Sequence, residues 1–241
     1  MASDKRSVTR KNTGSDLASR SEVDQFLQKV ASAPVSNTSG KEGRLVFALD
    51  ATASREATWD QATQLQAEMF TSAQSLGGLE VQLCYFRGFA EFRASPWTKK
   101  SDMLLKQMTG IQCEAGITKI ERLLKHVLEE TRKSKVHAVV YVGDCMEESL
   151  DRLAQLAGEL GMYNVPLFVF QEGSDPIARR AFQEMVRLSG GAYSPFDNSS
   201  VNELRDLLKA VAVYASGGRK ALEDFSRKSH PSVKLLGHQL R

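Results

Sequence analysis

Three short apolar runs punctuate the chain, at 45–49, 136–142 and 165–170. Each is too short for a typical helix and rich in residues that suit strands, so each reads as a strand buried on both faces. Pro166 stands at the start of the third, where proline is tolerated. Residues 79–86 alternate instead: Leu79, Val81, Leu83 and Tyr85 share one face, Glu80, Gln82 and Cys84 the other. That pattern predicts a half-covered strand near a sheet edge. Arg87-Gly88 reads as a two-residue turn into a strand at 89–93, so these two strands form a hairpin and the last is antiparallel to the rest. A short final strand is expected at 192–196.

Between the strands the apolar positions recur at helical spacing. Trp59, Ala62, Leu65, Met69, Ala73 and Leu76 mark a helix from near Thr58, closed by Gly77-Gly78. A short helix is expected at 101–108, and Ile117, Ile120, Leu123, Leu124, Val127 and Leu128 mark the next. Leu150, Leu153, Leu156 and Leu160 face inward from a helix at 147–162. Another helix spans 176–188, and Val201, Leu204, Leu208 and Val211 belong to a last one, capped by Asn198 or Ser199 and interrupted at Gly217-Gly218. Met69, Met103, Met108 and Met185 fall on apolar helix faces and read as packing. Strands alternating with helices predict an α/β, doubly wound, mostly parallel six-stranded sheet with one antiparallel edge strand and helices on both faces, Rossmann-like.

The polar ends frame this unit. Residues 1–20 are rich in Ser, Thr, Lys, Arg and Asn and read as disordered. A short helix is expected at 21–33, with Ser21 as N-cap and Val23, Phe26, Leu27 and Val30 as an apolar stripe that docks on the domain or on a partner. The resulting organisation is a polar segment at 1–43, a globular domain at 44–216 and a basic, partly helical tail at 217–241.

Charge sharpens the division. Residues 1–44 carry eight basic and five acidic groups, 217–241 six and two, and the middle 18 and 22. The basic ends serve solubility on this reading, with weak contact to nucleic acid or an acidic partner as the lesser alternative. No apolar run approaches the length of a membrane span, and the first residues lack the apolar stretch of a signal peptide. Three cysteines, Cys84, Cys113 and Cys145, show no metal-ligand spacing and are expected as free thiols. Together these features predict a cytoplasmic protein.

The candidate chemistry sits where the first buried strand ends, at Asp50-Ala51-Thr52-Ala53-Ser54. A carboxylate and two hydroxyls gather in one loop at the C-terminal end of a strand, where ligands bind in open α/β sheets. Hard oxygen donors suit Mg²⁺, Mn²⁺ or Ca²⁺ better than zinc. The stretch resembles the Asp-x-Ser-x-Ser opening of the metal-ion-dependent adhesion site in von Willebrand factor type A domains, with Thr52 in place of the first Ser. Ala115-Gly116-Ile117-Thr118 resembles that family's Gly-x-Thr, and Val142-Gly143-Asp144 its later strand-end Asp, followed here by Cys145 instead of the usual Gly. Ser189-Gly190-Gly191-Ala192-Tyr193 resembles the family's approach to its last strand. The resemblance spans about 44–216 and implies a metal site of Asp50, Thr52, Ser54, Thr118 and Asp144. It further implies a protein partner whose Asp or Glu carboxylate completes the coordination, no catalysis, and a role as scaffold or assembly factor.

Two alternatives accompany this reading. Asp and Ser after a strand often do no more than cap the next helix. The same loop also resembles the phosphorylated-aspartate loop of the haloacid-dehalogenase superfamily, with Asp50 as nucleophile, Asp144 as a Mg²⁺ ligand and Glu147 and Glu148 as an acidic motif. Against that enzyme stand Thr52 where a general acid would be, Thr118 opening a helix, and no lysine placed to neutralise a phosphate. His126, His137, His230 and His238 show no triad spacing.

Overall fold

The computed structural model describes residues 20–33, 43–58, 79–196 and 201–228. Expectations for the segment at 1–19, the helix from near Thr58 to Leu76, the Asn198 or Ser199 cap and the end beyond 228 lie outside these residues. Six strands form one sheet: β1 (Gly43–Asp50), β2 (Leu79–Arg87), β3 (Glu91–Ala94), β4 (Ala138–Gly143), β5 (Leu167–Glu172) and β6 (Ala192–Phe196). Their order is β3-β2-β1-β4-β5-β6. All neighbours run parallel except β2 and β3. The chain builds outward from β1 to one edge, then crosses back to β4 on the other side. The order therefore reverses between β1 and β4, and the crevice that this leaves lies at the C-terminal ends of those two strands.

Helices cover both faces, which is why the central strands read as continuous apolar runs. β1 sends Leu45, Phe47 and Leu49 into one apolar layer and Val46 and Ala48 into the other. The second layer is closed by α3 (Ile120–Lys133), α4 (Leu150–Met162) and α5 (Pro176–Ser189). The first is closed by α1 (Arg20–Ser32), α2 (Ser101–Thr109) and α6 (Val201–Lys228). The early helix thus docks on the domain itself. Phe26 of α1 packs its ring 6.2 Å from Phe168 and 5.2 Å from Phe170 of β5. α6 lies so close to the start of β1 that a Cβ on Gly43 would fall 2.1 Å from the Ala215 carbonyl oxygen. It kinks at Gly218, where φ is 67°.

Several expectations change. β2 is covered on both faces, because Gln82 and Cys84 are buried beneath α3. Gln82 meets its polar needs by donating to the Ser95 carbonyl and bonding to His126 Nε2 at 2.8 Å. The hairpin turn has three residues, Gly88, Phe89 and Ala90, with Arg87 paired to Glu91. Ile117 is not helical: it stands in the loop before α3 and is 47% exposed. Helix α4 starts at Leu150, three residues later than the spacing implied, and Leu150 is only half-buried. Met103 is exposed, whereas Met108 and Met185 are core.

Candidate metal centre

β1 delivers Asp50, fully buried, to the crevice. Its Oδ1 accepts from the Thr52 backbone N–H at 2.9 Å, an Asx turn that bends the chain into the 3-10 helix Ala53–Thr58. The Thr52 and Ser54 hydroxyls lie 3.1 Å apart. Glu114 N–H donates to the Ala51 carbonyl at 3.0 Å, which lays the loop before α3 alongside this turn. That loop is pinned in turn to the β2–β3 hairpin. Ile117 N–H and Lys119 Nζ both donate to the Gly88 carbonyl. A Cβ on Gly116 would come 2.1 Å from that same oxygen, so only glycine permits the approach.

Thr118 and the loop after β4 hold each other. Thr118 N–H donates to Glu147 Oε2 at 2.8 Å, and Glu147 N–H donates back to Thr118 Oγ1 at 3.2 Å. Glu148 accepts from Ile120 and Glu121 N–H, so it caps α3 from a distant loop. The helix's own preceding residue, Lys119, has no side-chain oxygen to offer. Both carboxylates are committed to backbone amides, which removes the acidic motif that the dehalogenase-like reading needed. Neither Thr118 nor Asp144 caps the helix that follows it. Thr118 accepts from outside α3, and Asp144 lies six residues ahead of Leu150, where α4 begins.

Asp144 meets Asp50 across the crevice. Ligand-type atoms of Asp50, Asp144 and Cys145 all lie within 4.8 Å of one another. Asp50 Oδ2 and Asp144 Oδ1 are buried and accept no hydrogen bond among the described residues. The structure therefore joins Asp50, Thr52 and Ser54 in one turn and sets Asp144 against Asp50. It ties Thr118 to the Asp144 loop through Glu147. A divalent cation fits this donor set, because two carboxylates stand close together and each keeps a buried oxygen that accepts no hydrogen bond among the described residues.

Arg55 is the residue that sequence reasoning missed. Its side chain is 1% exposed, directly behind Asp50. Nη1 donates to the Asp50 carbonyl at 2.7 Å and the Val142 carbonyl at 3.4 Å, and Nε donates to Glu172 at 3.0 Å. One guanidinium thus ties together the ends of β1, β4 and β5. Burial pushes the Asp50 carboxyl up to about 6, against hydrogen bonds from Thr52 and the Arg55 charge, with Asp144 adding to the rise. The Tyr141 hydroxyl is also buried without a partner among the described residues, and burial holds its proton firmly. Cys145 is half-buried, and burial with the neighbouring Asp144 and Asp50 pushes its thiol up.

Many solved structures share this fold. A von Willebrand factor type A protein from Catenulispora acidiphila superposes with a TM-score of 0.58 at 12% identity, covering 72% of this chain and 43% of that one. The chain has the von Willebrand factor type A fold. The manganese-loaded TRAP protein of Plasmodium vivax matches with a TM-score of 0.52 at 17% identity, over 69% of this chain and 73% of that one. An aerotolerance-related membrane protein from Bacteroides fragilis matches with a TM-score of 0.55 at 17% identity, over 70% and 98%. No family profile and no curated protein sequence matches the chain. Among the described residues, no helix is long and apolar enough to cross a membrane. Cys84 is buried, and Cys113 and Cys145 are half-buried.

Proposed function

We propose that this chain is a metal-dependent protein-interaction module without catalysis of its own, its cation held by Asp50, Thr52, Ser54, Thr118 and Asp144. The observation that carries the reading is a close pair of carboxylates, Asp50 and Asp144, each of which keeps a buried oxygen with no hydrogen-bond partner among the described residues. A buried acceptor with no donor costs free energy, and two adjacent carboxylates repel when ionised. A cation between them removes both costs. Asp50 and Asp144 supply the anionic donors, and Thr52, Ser54 and Thr118 supply hydroxyls that bind without neutralising the ion. Bound Mg²⁺, Mn²⁺ or Ca²⁺ supplies a positive point that can take a carboxylate oxygen from outside. The manganese-loaded structural neighbour supports the choice of a divalent ion.

The partner is a protein offering an Asp or Glu. Around the crevice, Phe89 is 78% exposed on the hairpin turn, Ile117 stands beside Thr118, and Ile177 is 68% exposed at the start of α5. Exposed apolar side chains gathered at one end of a domain mark a surface for protein contact. We assign the interaction to the domain at 44–216, with α1 in the leading segment and a basic tail at 217–241, and the role to scaffolding or assembly in the cytoplasm. Titration calorimetry of the metal-stripped chain tests the site. One Mg²⁺ or Mn²⁺ should bind, and Asp144→Ala or Thr118→Ala should weaken it at least tenfold. Absence of binding at millimolar metal overturns the reading, as does partner retention that ignores chelator.

A further inference from the structure

Asp144 is followed by Cys145, and this thiol belongs to the same cluster. Its Sγ lies within 4.8 Å of ligand oxygens of both Asp50 and Asp144. The second observation is that Asp50, a member of the cluster, has no exposure, and that its Oδ2 has no hydrogen-bond partner among the described residues. Two carboxylates and a sulfur are thus presented to one point from two loops. The other thiols are placed elsewhere. Cys84 is sealed in the apolar layer under α3, and Cys113 packs against the opposite layer.

We propose that Cys145 is a metal ligand and that this site selects a borderline transition ion over Mg²⁺ and Ca²⁺. The inference rests on the metal-binding reading above and narrows it to an ion class. Mg²⁺ and Ca²⁺ take oxygen donors and gain little from sulfur, whereas Zn²⁺ and its neighbours bind thiolate strongly. As the sulfur–metal bond forms, the thiol proton leaves to solvent. Affinity along the first row then rises from Mn²⁺ through Fe²⁺ and Co²⁺ toward Zn²⁺ more steeply than an all-oxygen site would allow.

The full chain, stripped of metal, is titrated with Co²⁺ as the sulfur-seeking probe and with Mg²⁺ as the oxygen-seeking one. Wild type should develop a sulfur-to-cobalt charge-transfer absorption in the near ultraviolet, and Cys145→Ser should abolish it. The ratio of Co²⁺ to Mg²⁺ affinity should fall at least tenfold in that variant. A second measurement needs no variant: peptide-resolved alkylation of wild type, in which Zn²⁺ should slow modification of Cys145 at least fivefold relative to Cys113. No charge-transfer band, an unchanged affinity ratio or alkylation indifferent to Zn²⁺ overturns the thiol ligand. If metal binding is still lost in Asp50→Ala, the adhesion-type site survives that failure; if folded wild type binds neither ion, both readings fall.

Discussion

Asp50→Asn is expected to stabilise the metal-free protein while abolishing its response to metal. Asp50 is raised to about 6 from 3.8, mainly by burial. For a carboxyl, a raised folded pKa means that the folded state binds the proton more tightly than the unfolded chain does. The penalty is therefore absent below about pH 4, grows as pH rises, and is complete above pH 6. Its size at neutral pH is about 3 kcal/mol. Asparagine keeps the oxygen that accepts from Thr52 N–H, carries no charge, and places an amide at Oδ2, which has no hydrogen-bond partner among the described residues. In a domain of this size about 3 kcal/mol corresponds to roughly 6–12 °C in Tm. Scanning calorimetry at pH 7.5 in chelator should show the variant melting higher by that amount, with the advantage vanishing by pH 4. With metal at a hundred times its Kd, wild type should gain about 2.7 kcal/mol and the variant nothing. A variant that melts below wild type in chelator, or that still gains from metal, refutes the reasoning.

Other residues carry equally direct expectations. Arg55→Met leaves Glu172 and two strand-end carbonyls without their buried donor, and should cost about 3–5 kcal/mol in urea unfolding; a loss below about 1 kcal/mol contradicts the clamp. Gly116→Ala drives a Cβ into the Gly88 carbonyl and should displace the Thr118 loop, weakening Mn²⁺ binding by calorimetry at least tenfold with circular dichroism unchanged; affinity within twofold of wild type contradicts it. His137 is lowered to about 4 by burial, with help from Lys135 and Arg44, and its Nδ1 accepts from Arg44 N–H. Its folded pKa lies below the unfolded value, so stability should hold above pH 6.5 and fall by on the order of 3 kcal/mol between pH 6.5 and 4. Measured against wild type, His137→Asn, which retains an acceptor, should remove that fall; identical pH profiles would contradict it.

The central strands were legible because both of their faces are covered. Leu45 to Leu49 and the runs of β4 and β5 have no polar face to confuse the pattern. The same rule misled at β2. Gln82 looked like a solvent position, but it is buried and satisfied by Ser95 and His126, and a polar side chain in a paired interior network has the same signature as an exposed one. Ile117 failed in the opposite way. Its spacing fits a helical stripe, yet Gly116 and Thr118 are each tied to another loop, so the backbone there is fixed before the helix begins. Turn geometry at Gly88 likewise depends on Glu114 and Gly116, about 26 residues away, beyond the reach of a local reading.

At the site, Asp50 and Asp144 were legible because strand ends flanking a reversal of strand order are few, and a carboxylate at each is a strong coincidence. Arg55 was not, since an arginine in a polar loop reads as solvated until three strand ends are seen to converge on it. Glu147 and Glu148 entered the reading only as the acidic motif of the dehalogenase-like alternative, and their partners are backbone amides instead. The Lys119 side chain offers no acceptor to the first amides of α3; Glu148 supplies it, while Glu147 accepts from Thr118 N–H, both from the loop that carries Asp144. This division of labour bears on function. Four acids approach the crevice, and two accept from backbone amides while two retain buried oxygens without donors among the described residues. A loop built only for stability would spend all four in the same way, since the amide form of Asp50 offers the Asx turn at lower electrostatic cost. That Asp50 and Asp144 stand against each other, braced behind by Arg55 and tied to Thr118 through Glu147, is what an ion-binding centre requires: donors fixed in advance by neighbours that do not themselves bind.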